Sequence, residues 1–267
     1  MNRFFAWDYT GDPFELFGTA HIVAMSVIAL VNVLIICFGR RLSSRWSSIV
    51  RYAIAFLLLL AETLWHVWNL VTGHWTIQTM LPLHLCSVFV WLSVVMLLTN
   101  NYRIYEFAYL LGIAGALQAI LTPDAGQYGF PHFRFFQVFA SHGSIITAAV
   151  YMTVVAGFRP VPKSFLRVAV IGNLYMAVVG GINALIGSNY LFIARKPDTA
   201  SLLDVLPQWP WYIIHIEAIG LLSMLILYLP FAIRDLRDWW IKRAGAPQAA
   251  SISANSPELA EGEQTTA

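Results

Sequence analysis

The sequence predicts an all-α, polytopic membrane protein with seven transmembrane helices, its N-terminus outside and its C-terminus in the cytoplasm. Three observations predict this. Of the 267 residues, 58% are hydrophobic and 11% charged, whereas a water-facing domain needs roughly a quarter of its residues charged. Seven apolar runs approach the length that crosses a bilayer, about 20 residues each. When successive loops are assigned to alternate sides, twelve of the Lys and Arg residues fall on one side and four on the other. That bias sets the direction by the positive-inside rule.

The elements follow in order. Residues 1–17 form an outer N-terminal segment. It carries Asp8, Asp12 and Glu15 where a cleavable signal would open with basic residues, so no signal is expected. The spans are placed at 18–38, 50–72, 82–99, 104–122, 133–157, 166–186 and 211–233, together a membrane domain over 18–233. All connections are short, the longest being 187–210, so no soluble domain fits between spans. Residues 234–243 place Trp239 and Trp240 among basic side chains, as an interfacial helix would. The tail, 244–267, is rich in Ala, Ser, Gln, Thr and Glu and reads as disordered. A net charge of +2 argues against nucleic acid. Two cysteines, Cys37 and Cys86, are too few for a disulfide framework.

Polar groups inside lipid are costly unless paired, so their positions inform. With the direction set, His21, Glu62, His66, Asn69, His84, Gln118, His142, Asn183, His215 and Glu217 all fall in the outer half. Asn32 and Asn173 are the inner exceptions. Such a layer is expected to be a polar cavity; the alternative is that each group ties helices together by hydrogen bonds.

Cys86 is the thiol of this layer. Alone it would read as a small packing residue; beside an imidazole it is a potential nucleophile. His84 is two residues away, on a different helix face unless Pro82 distorts the first turn. A histidine from another helix fits better. His142 is the first choice, and Gly143 beside it permits close helix approach. His66 is the second, sharing a face with Glu62 and Asn69. The outer loop 189–212 contains Asn189, Arg195 and Lys196, the basic pair being placed to hold a phosphate. Its Trp209, Trp211 and Tyr212 suit an interfacial belt. Glu62-x-x-x-His66 is the one metal-like spacing, too little to predict a metal site. No glycine-rich phosphate loop or GxSxG elbow occurs, and no cofactor is expected.

The stretches LPLHLC (81–86), TP (122–123), FFQVFASHGS (135–144), NYLF (189–192), KP (196–197) and WPWY (209–212) resemble the YwaF-like family of bacterial integral membrane proteins, over about 18–233. That family is similar, more distantly, to an animal multi-pass acyltransferase that remodels ether phospholipids, and to androgen-induced hydrolases of fatty-acid esters. The acyltransferase has a Leu-His-x-Cys motif with a nucleophilic cysteine and a histidine on a later helix. The matching positions are Cys86, within Leu83-His84-Leu85-Cys86, and His142.

The resemblance implies acyl chemistry on a membrane lipid in the cell membrane: Cys86 as nucleophile, His142 as base, and a thioester intermediate. His84, His66 or His215 would polarise the carbonyl or protonate the leaving group. Glu62, Asn69, Gln118, Asn189, Arg195 and Lys196 would support the site. Two other readings remain open from the residues: a transporter or sensor using the outer cavity, and a metal-dependent membrane hydrolase.

Overall fold

The computed structural model describes residues 3–197 and 202–254, apart from the side chains of Leu202 and 244–254. Among the described residues the chain is helical, with no strand. The α-helices are α1 (Thr19–Phe38), α2 (Ser44–Val71), α3 (Leu85–Thr99), α4 (Tyr102–Phe107), α5 (Ile113–Leu121), α6 (Phe133–Val154), α7 (Pro162–Ile186) and α8 (Trp211–Ala254). A π-helical turn, Ala108–Gly112, joins α4 to α5, so the two form one span.

Among the described residues, six helices are long and apolar enough to cross a membrane. The remaining apolar helix, α3, has 15 residues, about 22 Å of rise. It is shorter than the expected 82–99 because residues 81–84 are not helical. The Tyr190 hydroxyl accepts from the Leu81 amide at 2.8 Å, and the Tyr175 hydroxyl donates to the Leu83 carbonyl at 2.8 Å. These bonds hold 81–84 in a turn, and His84, the N-cap, is itself extended at φ −66° and ψ 145°.

The chain divides into two compact units, Met1–Leu227 and Tyr228–Ala267. In the first, α6 is the central helix, with α1, α2, α3 and α5 packed around it. Its small residues allow this. An added Cβ on Gly143 would lie 2.8 Å from Ile28 Cγ1 of α1, and Ala148 and Ala149 are fully buried in the main core. Asn32 of α1 donates to Thr147 Oγ1 of α6 at 3.2 Å, a polar tie between the two helices. The outward faces are apolar, with Leu70, Leu166 and Leu174 exposed, as lipid contact requires. The protein is therefore a multi-pass membrane protein surrounded by lipid.

The second unit is the continuation of α8. Residues 234–243 lie within that helix, with Arg243 over the Trp239 ring at 5.0 Å. Residues 244–254 of the expected tail are also helical, and 255–267 lie outside the described residues.

The N-terminal segment packs against the ends of α2 and α6. Trp68 Nε1 donates to the Phe5 carbonyl at 2.9 Å, Trp7 stacks on His74 with centroids 3.5 Å apart, and the His132 ring bonds the Ala6 carbonyl at 3.0 Å.

Buried polar residues also lie outside the predicted polar layer. Glu106, the fifth residue of α4, is fully buried. It accepts from Ser164 Oγ at 2.5 Å and from the Arg167 guanidinium, with Arg103 Nη1 at 3.5 Å. Its charge is stabilised there because two cations and a hydroxyl converge on it from two helices. Asn173, placed on the inner side by sequence, donates to Glu217 Oε1 at 2.7 Å.

Candidate functional site

A cavity of about 910 Å³ lies among α2, α3, α5 and α6 on one side and α7 and the start of α8 on the other. It is at the upper end of the range for ligand pockets, about 300–1,000 Å³. Glu62, His66, His84, Cys86, Arg134 and His142 line it together with a long apolar wall that includes Phe89, Phe107, Leu111 and Met224.

Cys86 is the second residue of α3. A helix leaves its first amides without intrahelical acceptors, and among the described residues no side-chain cap bonds those of α3. The thiol therefore sits beside free N–H donors at the positive end of a helix dipole. Its side chain packs against the main core while also lining the cavity. Among the described residues no hydrogen bond joins Cys86 to an imidazole.

His84 precedes the helix, so the helical-face argument that set it apart from Cys86 does not apply. The extended N-cap lets it line the same cavity, with its ring 5.1 Å from Tyr190 and 5.0 Å from Phe192. The loop carrying those aromatics is held by Asn189, whose Oδ1 accepts from Ala194 N at 3.2 Å and Arg195 N at 3.0 Å. Burial raises the Tyr190 phenol above the ordinary tyrosine range, with Leu81's amide partly offsetting it.

The two candidate bases differ in which nitrogen is free. His142 Nδ1 is 2.8 Å from the Val138 carbonyl. A carbonyl only accepts, so Nδ1 carries the hydrogen and Nε2 holds a lone pair. His66 is the reverse. Its Nδ1 accepts from Trp75 Nε1 at 3.1 Å, so in the neutral ring Nε2 carries the hydrogen. That nitrogen faces Glu62 Oε1 at 3.6 Å, too far for a hydrogen bond. Among the described residues, Glu62 Oε1 is buried without a hydrogen-bond partner.

His21 and His132 are structural. His21 receives the Phe17 amide at Nδ1, 2.9 Å, and bonds the Ile120 carbonyl through Nε2, 2.8 Å. His132 receives the Arg134 amide at 3.1 Å as the α6 cap. Burial, with Arg134 adding to it, lowers His132 below the ordinary histidine value against the pull of the Ala6 carbonyl.

The other sequence candidates divide. Gln118 lines the cavity, and its amide donates to Thr122 Oγ1 at 2.9 Å. Asn69, Asn189, Arg195, Lys196 and His215 are not among the lining residues. Asn69 donates to the Trp65 carbonyl at 2.9 Å. Lys196 Nζ donates to the Leu206 carbonyl at 2.7 Å. The exposed His215 bonds the Trp211 carbonyl at 2.9 Å. Among the described residues no three His, Cys, Asp or Glu side chains converge as a metal site would require.

Arg134, Gln137 and Ser141 of α6 also line the cavity, and sequence reasoning passed over them as site residues. The signal was present: residues 134, 137, 141 and 142 are spaced i, i+3, i+7, i+8, one face of a helix. Arg134 donates to Gln137 Oε1 and, at 3.2 Å, to the Asp124 carbonyl. Its guanidinium lies 3.9 Å from the Trp65 ring centroid.

No curated protein and no solved structure matches the chain. The sequence pattern of the TMEM164 family matches residues 16–228, from just before α1 into the first half of α8. With most of its length matched, the chain belongs to the TMEM164 family, a family of multi-pass membrane proteins.

Proposed function

We propose that the protein is an acyltransferase or acyl-ester hydrolase acting on lipids of the cell membrane, with Cys86 as nucleophile and His142 as base. One observation carries the reading: a thiol and an imidazole with a free Nε2, from separate helices, line one cavity. The resemblance to the YwaF-like family and the ether-phospholipid acyltransferases, borne by LPLHLC and FFQVFASHGS, supports it.

His142 Nε2 takes the thiol proton, and the sulfur attacks the carbonyl carbon of an acyl ester. The developing oxyanion meets the first-turn amides of α3. The C–O bond breaks, the leaving oxygen takes the proton from His142 Nε2, directly or by way of His84, and departs as an alcohol, and the acyl group stays on Cys86 as a thioester. An acceptor hydroxyl, from a lysolipid, another alcohol or water, then gives its proton to His142 and attacks the thioester. The C–S bond breaks and the thiol recovers its proton. The apolar wall houses the acyl chain. His84 lies beside the sulfur's helix end, where it polarises the carbonyl or protonates the alkoxide. Glu62 and His66 hold a polar flank.

The test is labelling with a lipid-like thiol-reactive probe, followed by lipid analysis of cells carrying wild type, Cys86→Ser or His142→Ala. Loss of labelling and of acyl turnover in both variants is expected. Unchanged turnover in both would sink the reading. Ligand flux that survives loss of Cys86 would favour a transporter or sensor, and activity that tracks stoichiometric zinc or iron would favour a metal-dependent hydrolase.

A further inference from the structure

The mechanism above leaves the charge of Arg134 unused. Arg134 lines the cavity and is mostly enclosed. Its guanidinium is packed on Trp65 at 3.9 Å, which fixes the plane of the fork. Two of its five N–H donors are spent, one on Gln137 and one on the Asp124 carbonyl. Both acceptors are neutral. Asp124 and Glu62 act on Arg134 electrostatically, yet among the described residues neither forms an ion pair with it. The remaining donors and the charge are thus held rigid and uncompensated beside an apolar slot. The Tyr128 ring and His132 stand nearby without supplying negative charge at neutral pH.

We propose that Arg134 is the headgroup-recognition residue of the cavity, its guanidinium holding the phosphate of the phospholipid that gives or accepts the acyl group. The inference rests on the acyl-transfer reading and deepens it by naming the charged group of the substrate. An acyl ester has no free carboxylate, so on a membrane ester lipid the oxyanion available to a guanidinium is the phosphate. Arg134 is the second residue of α6 and His142 the tenth, about 12 Å apart along the axis. That spacing sets the phosphate apart from the acyl-transfer step along α6. The basic pair Arg195 and Lys196 is thereby relieved of the phosphate role, Lys196 being spent on the Leu206 carbonyl.

The test measures binding without turnover, in purified protein carrying Cys86→Ala. A fluorescent lysophosphatidylcholine is compared with a monoacylglycerol of the same chain and label. A preference of about tenfold or more for the phosphate lipid is expected, near what one charge-assisted contact supplies. Arg134→Gln should erase the preference, and Arg134→Lys should retain part of it. Equal affinity for the two lipids, or a preference surviving Arg134→Gln, overturns the proposal. If Arg134→Gln does not fold, Arg134→Lys decides: a weakened preference supports the proposal and an unchanged one overturns it. Inorganic phosphate that competes as well as the lysophospholipid reassigns the site to free phosphate and overturns the headgroup role. Because no acyl step is read, failure of the Cys86 chemistry and failure of this assignment are seen separately.

Discussion

The Nδ1 of His142 donates to the Val138 carbonyl at 2.8 Å, and this bond decides which nitrogen can accept a proton. An asparagine at 142 keeps a donor for that carbonyl but has no basic nitrogen. His142→Asn is therefore expected to melt within a few degrees of wild type in detergent and to lose lipid-probe labelling of Cys86. A variant that labels at the wild-type rate would show that the imidazole is not the base.

The buried ion cluster around Glu106 gives a stability prediction. Removing Glu106 leaves Arg167 and Ser164 facing one another without their shared acceptor. Breaking such a buried pair by deleting one partner costs about 3–5 kcal/mol. Glu106→Ala should lower the melting temperature markedly, while Arg103→Ala, on the exposed arm, should cost far less. Equal effects of the two would contradict the arrangement.

Gly143 gives a packing prediction with a built-in rescue. A Cβ there would meet Ile28 Cγ1 at 2.8 Å. Overpacking of this kind costs about 1–3 kcal/mol. Gly143→Ala should destabilise, and Ile28→Ala in the same chain should recover part of the loss. If the double variant is simply the sum of the two singles, α1 and α6 do not meet at that point.

His132 gives the pH dependence. Its folded value lies below the ordinary one, so the unfolded chain binds this proton first as pH falls. Its contribution is present above the unfolded histidine value, about 6.5, and is lost as pH falls from there through the lowered folded value. Wild type should lose melting temperature over that window, and His132→Gln should flatten this part of the curve. Identical pH profiles would remove His132 from the account.

The spans were legible because lipid imposes one pattern on every crossing segment, and the apolar runs mark it directly. The short α3 was not. Its start depends on Tyr190, over a hundred residues away, gripping Leu81, and no local spacing signals that bond. The sequence also placed His84 on the wrong footing. The helical-face rule holds only inside a helix, and His84 is the residue before it. Cys86, His142, His66 and Glu62 were legible as candidates because polar groups are rare in these runs. Arg134 was not legible as a site residue, since its partners Trp65 and Asp124 come from other segments. Glu106 was missed for the same reason. Its cations Arg103 and Arg167 read as loop charges until α4 and α7 are brought together.

The central claim is that Cys86 carries the acyl group. It is tested most directly by incubating the purified protein with a phospholipid bearing an isotopically labelled acyl chain and analysing the Cys86 peptide by mass spectrometry. The account predicts a labelled, hydroxylamine-sensitive acyl adduct on Cys86 that is absent in Cys86→Ser and greatly reduced in His142→Ala. An unmodified Cys86 in protein that still turns over the labelled lipid would contradict it.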